Sequence, residues 1–220
     1  MTRSAVEWTS AERAALDELT TPRAVQELLD AVAYSDESRY RSPREVLAER
    51  RAHCMDGALF AAAALERMGH PPLLVDLRAV RDDDHVLAIF KVNHHWGAVA
   101  KSNTTTLRFR EPIFRNLREL ALSYFEFYFN VESEKTLRSY SLPVNLRRFH
   151  RRHWHTDPRC VDAIVEALDR REHKPLVSRA QVTRLSRVDR EIYDAAFLGA
   201  NPAGLYQPPP RRAFRSKNAG

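Results

Sequence analysis

Residues 51–68 constrain this chain more than any other stretch. They include Ala58, the four successive alanines Ala61, Ala62, Ala63 and Ala64, and then Leu65, and they stop at Gly69. Alanine and leucine are strong helix formers, and a glycine directly after the last turn suits a left-handed C-terminal cap. The spacing therefore predicts a helix rich in small residues with a thiol, Cys54, near its beginning. The rest of the chain is read around it.

Upstream, Thr9-Ser10-Ala11-Glu12 and Ser42-Pro43-Arg44-Glu45 are capping boxes, the second with proline in the first turn. Thr21-Pro22 opens another helix, with Val25, Leu28, Leu29 and Val32 as its apolar stripe. Residues 35–41 form a polar loop. The residues leave open whether the helix from Pro43 stops before Cys54 or runs into it. Downstream, residues 73–80, 85–92 and 96–103 read as strands, the last two joined as a hairpin through Asn93-His94-His95. Apolar residues on both faces predict a sheet covered on both sides. An aromatic stripe from Leu117 to Phe129 reads as a core helix. Helices also begin at Asp157-Pro158 and at Ser178. Residues 1–200 read as one domain, and 201–220, with Pro208-Pro209-Pro210 and four basic residues, as a disordered tail.

The chemistry-bearing residues fall in a suggestive order. Cys54 leads a helix, and His85 opens a strand behind Asp82-Asp83-Asp84. A thiol needs a base close by, and the base needs an orienting polar group. With a three-residue loop, Val92 faces Trp96 and His85 faces Asn103. A loop one residue shorter or longer puts Ser102 or Thr104 there instead.

Together these residues resemble the core of the transglutaminase-like superfamily, relatives of papain-type thiol enzymes. Cys54, Ala58, the exit Gly69-His70-Pro71, His85, Trp96 and Asn103 carry the resemblance, over about residues 45–105. No glycine directly precedes Cys54, and an amide or hydroxyl stands where the family commonly has aspartate. The resemblance implies an α+β fold, with the Cys-bearing helix packed on a small antiparallel sheet and helices added at the C-terminus. It also implies a Cys54–His85–Asn103 triad and acyl transfer or hydrolysis at an amide of a peptide or protein, with no cofactor. Some members of the family have lost catalysis, and the alternative for this chain is an inactive domain of that type acting as a binding module.

Other readings are weaker. Cys160 follows a helix start but has no strand-borne histidine after it. His150, His153 and His155 with Cys160 fit no usual two-by-two zinc spacing, so no metal site is expected. Asp82, Asp83 and Asp84 read as solvated acids, not as a cation site. The formal charge of +6 is concentrated in Arg147, Arg148, Arg151 and Arg152 and in the tail residues Arg211, Arg212, Arg215 and Lys217. Such patches can bind a nucleic acid or another anionic partner, the alternative function considered. No apolar run reaches the roughly 20 residues of a membrane span. The opening residues lack a secretory signal's apolar core, and two cysteines make no disulfide framework. The expected setting is cytoplasmic.

Overall fold

In the computed structural model, which describes residues 7–207, each predicted helix start is made by the side chain that announces it. Thr9 and Glu12 close a capping box on α1 (Ser10–Asp17), and Thr21 caps α2 (Pro22–Asp30). A two-residue strand, β1 (Ala33–Tyr34), precedes the polar loop. Ser42 and Glu45 then box α3 (Pro43–Glu49). Arg50 turns left-handed (φ 52°) and ends α3. The short strand β2 (Arg51–Ala52) pairs in parallel with β1. Only then does α4 (Cys54–Arg67) begin, with His53 as its cap and Asp56 completing the box. The question left open by the sequence is thus settled: Cys54 is the first residue of its helix. Gly69 (φ +89°) follows as the left-handed cap.

The strands β3 (Leu73–Ala79), β4 (His85–Val92), β5 (His95–Val99) and β6 (Arg110–Phe114) form an antiparallel run. After α5 (Leu117–Phe125) the chain returns to the sheet with β7 (Leu137–Ser141) and β8 (Val144–Asn145), both paired to β3. A 3-10 segment (Leu146–Arg152) leads to α6 (Val161–Asp169), and β9 (His173–Pro175) pairs with β7. The helices α7 (Arg179–Val182) and α8 (Arg190–Ala196) follow, then a 3-10 turn at Pro202–Gly204. The fold is mixed α+β, with the Cys-bearing helix packed on an antiparallel sheet. That sheet has seven strands and is not the small one expected. Strands β6 to β9 carry arginines, serines and prolines in short runs, so no clear alternation marked them.

Alternation along β4 sets the two faces. Val86, Ala88 and Phe90 pack with α4, while Leu87 and Ile89 pack with α5. Every residue of α4 from Met55 to Leu65 is buried, which small residues permit on all sides of a helix. Gly57 is required there: a Cβ on it would lie 2.2 Å from the Cβ of Lys101. Lys101 itself is buried and donates to the carbonyls of Leu29 and Val32, closing the C-terminal end of α2.

Two expectations need correction. The hairpin between β4 and β5 turns through Asn93 and His94 alone, both left-handed, and pairs Val92 with His95. A two-residue turn of this hand matches strand twist. The chain after residue 200 is not irregular throughout. Residues 201–206 lie against the body, with Gly204 packed on Tyr34 and beside Asn103. The four basic tail residues lie outside the described residues.

Candidate functional site

Cys54 is placed by the turn at Arg50 and the cap at His53. His53 Nδ1 accepts the Met55 N–H at 3.1 Å, and Asp56 Oδ2 accepts the His53 N–H at 3.2 Å. The start of α4 is therefore fixed, with the thiol on its first residue. Behind it, buried Arg41 ties the loop to the helix. It bonds to Glu49 (2.8 Å), Glu37 (2.7 Å) and Ser35 (3.0 Å), and its backbone N–H reaches Asp56 (2.8 Å). This network makes the polar loop a wall of the site.

The sulfur lies against the chain at the start of β4, 3.8 Å from the carbonyl oxygen of Asp84, to which its S–H donates. Burial pushes the thiol up to about 12, and the negative charges of Asp56 and Asp83 add to this. Hydrogen bonds from Val86 N–H and Met55 N–H pull the other way without reversing it. The helix N-terminus alone does not lower this thiol.

His85 begins β4 and is 4% exposed. It has the parity of Leu87 and Ile89, the face covered by α5. Its ring meets Tyr128 edge-on at 6.4 Å. Its Nε2 donates to the carbonyl of Leu107 at 2.8 Å, which leaves Nδ1 as the basic nitrogen. Burial lowers it to about 4, partly offset by the bond to Leu107, with Arg110 adding to the lowering. In this form both groups are uncharged, and no hydrogen bond joins sulfur to imidazole.

Asn103 is not the partner opposite His85. The shorter hairpin shifts the register by one, so that extending it would bring Ser102 opposite, and pairing stops at Val99 before either is reached. Gln26 of α2 takes over the Ala100 peptide instead, through two bonds of 3.0 Å. The Asn103 amide is engaged by Asn201, donating to its carbonyl and accepting its N–H, both at 2.8 Å. Orientation of His85 falls to the Leu107 carbonyl, a backbone atom that no side-chain pattern announces.

Even so, Cys54, His85 and Asn103 line one cavity of about 80 Å³, with Tyr34, Tyr128 and Leu107. Cys54 also borders a larger cavity of about 520 Å³. The wall of the larger cavity carries six carboxylates: Asp36, Glu37, Asp76, Asp83, Asp84 and Asp169. Arg78 lies within 3.5–3.8 Å of Asp76, Asp84 and Asp169 and partly balances them. Asp76 is held by His173 at 2.9 Å, and burial still pushes its carboxyl up. Gly204 and Leu205 line both cavities, so residues 203–206 form part of the wall beside the half-buried thiol.

Cys160 and the acids before His85 are structural. Cys160 is 4% exposed in the core beside α4. Asp82 accepts from Thr136 at 2.7 Å, and Asp84 from the Ala79 N–H at 2.7 Å, so these acids shape the β3–β4 turn. No helix among the described residues is long and apolar enough to cross a membrane. No protein-family model matches this chain, and no curated protein matches it either.

Proposed function

We propose that this chain is a thiol enzyme of the transglutaminase-like type that transfers or hydrolyses acyl groups from amides of peptides or proteins. One observation carries the reading. Cys54, His85 and Asn103, from three separate segments, converge on one cavity, with the thiol at a helix N-terminus. The seven-stranded sheet with the Cys-bearing helix on one face is compatible with the transglutaminase-like fold.

In the proposed reaction the Cys54 sulfur attacks the amide carbonyl and its proton passes to His85. His85 returns that proton to the leaving amine, and a thioester remains. Water or a second amine then attacks the thioester, gives its proton to His85, and the thiol is restored. The resting form is latent, because burial is the largest cause of both opposing pKa shifts. Moving residues 201–206 aside wets both groups and brings them toward their ordinary values. In the closed form Asn103 is a positioning residue for this covering segment. The acidic wall beside the thiol favours a cationic acceptor over a carboxylate-bearing one.

The test is incorporation of a biotinylated primary amine into a glutamine-containing peptide, together with release of ammonia. Both should disappear in Cys54→Ala and fall at least about tenfold in His85→Ala. Wild-type activity equal to that of Cys54→Ala would overturn the reading. A non-catalytic role has one observation in its favour: Arg147, Arg148, Arg151 and Arg152 are all exposed on one 3-10 segment. That role predicts salt-sensitive binding to a polyanion, weakened by their replacement.

A further inference from the structure

At the far end of α4, twelve residues and about 18 Å of helix from the thiol, three donors converge that no local spacing reveals. Glu66, in the last turn, meets His150 and His155 from the segment that crosses over it. We propose that Glu66, His150 and His155 form a binding site for a divalent transition-metal ion of the zinc, cobalt or nickel kind.

The geometry is close to what such an ion requires. His150 Nε2 lies 3.1 Å from Glu66 Oε1, and His155 Nε2 lies 3.0 Å from Glu66 Oε2. All the donor atoms fall within 4.8 Å of one another. In a tetrahedral zinc site with bonds near 2.05 Å, neighbouring donors stand about 3.3 Å apart, so only a small opening is needed. Glu66 places one carboxylate oxygen against each ring, so a single side chain bridges the two imidazoles.

The backbone sets the pair in place. His153 is left-handed (φ 54°), and its N–H returns to the His150 carbonyl at 2.9 Å, folding residue 155 back beside residue 150. Trp154 is fully buried and stacks on His155 at 3.9 Å, almost parallel to His150 at 6.4 Å. Two imidazoles and a carboxylate suit borderline ions and not calcium or magnesium, which prefer oxygen. Each ring offers its Nε2 lone pair with the ring proton on Nδ1, so the Nε2 hydrogens now shared with Glu66 give way to the ion. Three protein ligands leave a position for water. His153 and Cys160, which share this stretch of sequence, are not members, and Glu66 lies 84 residues before His150.

The experiment titrates the full-length, chelator-stripped protein with Zn²⁺ by calorimetry and with Co²⁺ by absorption and tryptophan fluorescence. The expected result is one saturable equivalent at micromolar or tighter affinity, with Trp154 emission changing alongside it. The double substitution His150→Ala, His155→Ala should weaken binding at least about 100-fold, and Glu66→Gln by about tenfold. Cys54→Ser should leave it unchanged, and the Co²⁺ spectrum should show no thiolate band. No saturation below millimolar metal would overturn the proposal. So would binding that survives loss of both histidines, or binding that disappears with Cys54→Ser. Circular dichroism of each variant separates lost ligands from lost fold.

Discussion

His85 shows how much one side chain's surroundings decide. It is held near pKa 4 against an ordinary 6.5, chiefly by burial. Between those values the unfolded chain takes up a proton that the folded chain refuses, so this residue's contribution to stability rises with pH from about 4 to 6.5. A shift of this size corresponds to about 3 kcal/mol. Asp56 and Asp82, both pushed up to about 6 by burial, act in the opposite sense over an overlapping range. The comparison is therefore made against His85→Gln, whose amide can still donate to Leu107. Urea unfolding of the two proteins should show wild type gaining on the variant by about 3 kcal/mol as pH rises from 4 to 6.5. A difference independent of pH would mean that His85 is solvated and charged in the folded state.

At the scale of elements, α4 is held by closeness and not by size. Gly57→Ala places a methyl group 2.2 Å from the Lys101 Cβ, in contact with a side chain anchored on the end of α2. The expected loss is about 1–3 kcal/mol, measured by urea denaturation, with the α2–α4 packing disturbed first. The helices here were legible in sequence because their caps are local: Thr9 with Glu12, Ser42 with Glu45, and Gly69 after Arg67 all act within one turn. That Cys54 lies near a helix start and His85 opens a strand was legible from the run of small residues in one and the apolar run in the other. Asn103 was misread because a single residue of turn length moves a whole register, and Asn93-His94 tolerates the left-handed pair that makes the turn shorter. The Leu107 carbonyl, the Asp76–His173 pair and the union of Glu66 with His155 depend on contacts across 22, 97 and 89 residues. No periodicity carries such contacts.

At the scale of the molecule, a basic cluster at Arg147, Arg148, Arg151 and Arg152 stands apart from an acidic cleft beside Cys54. The formal charge is +6, yet the 520 Å³ cavity beside Cys54 is walled by carboxylates, and Ala203, Gly204 and Leu205 form one side of it. Asn103 latches that segment by two bonds to Asn201. Asn103→Ala should leave the core intact while hydrogen exchange and protease cleavage rise in residues 201–206. Unchanged protection there would show that the segment is held by packing alone. Gly204→Leu reaches the same end by steric means, since any Cβ at that position meets Tyr34 at 2.7 Å.

The rate of Cys54 alkylation by iodoacetamide at neutral pH, resolved from Cys160 by peptide mass spectrometry, bears most directly on the proposed thiol chemistry. The account predicts slow labelling in the wild type and a rate at least about tenfold higher in Gly204→Leu, where the thiol is wetted. It also predicts that His85→Ala, in the Gly204→Leu background, removes most of that gain. Equal rates in all three proteins would contradict it.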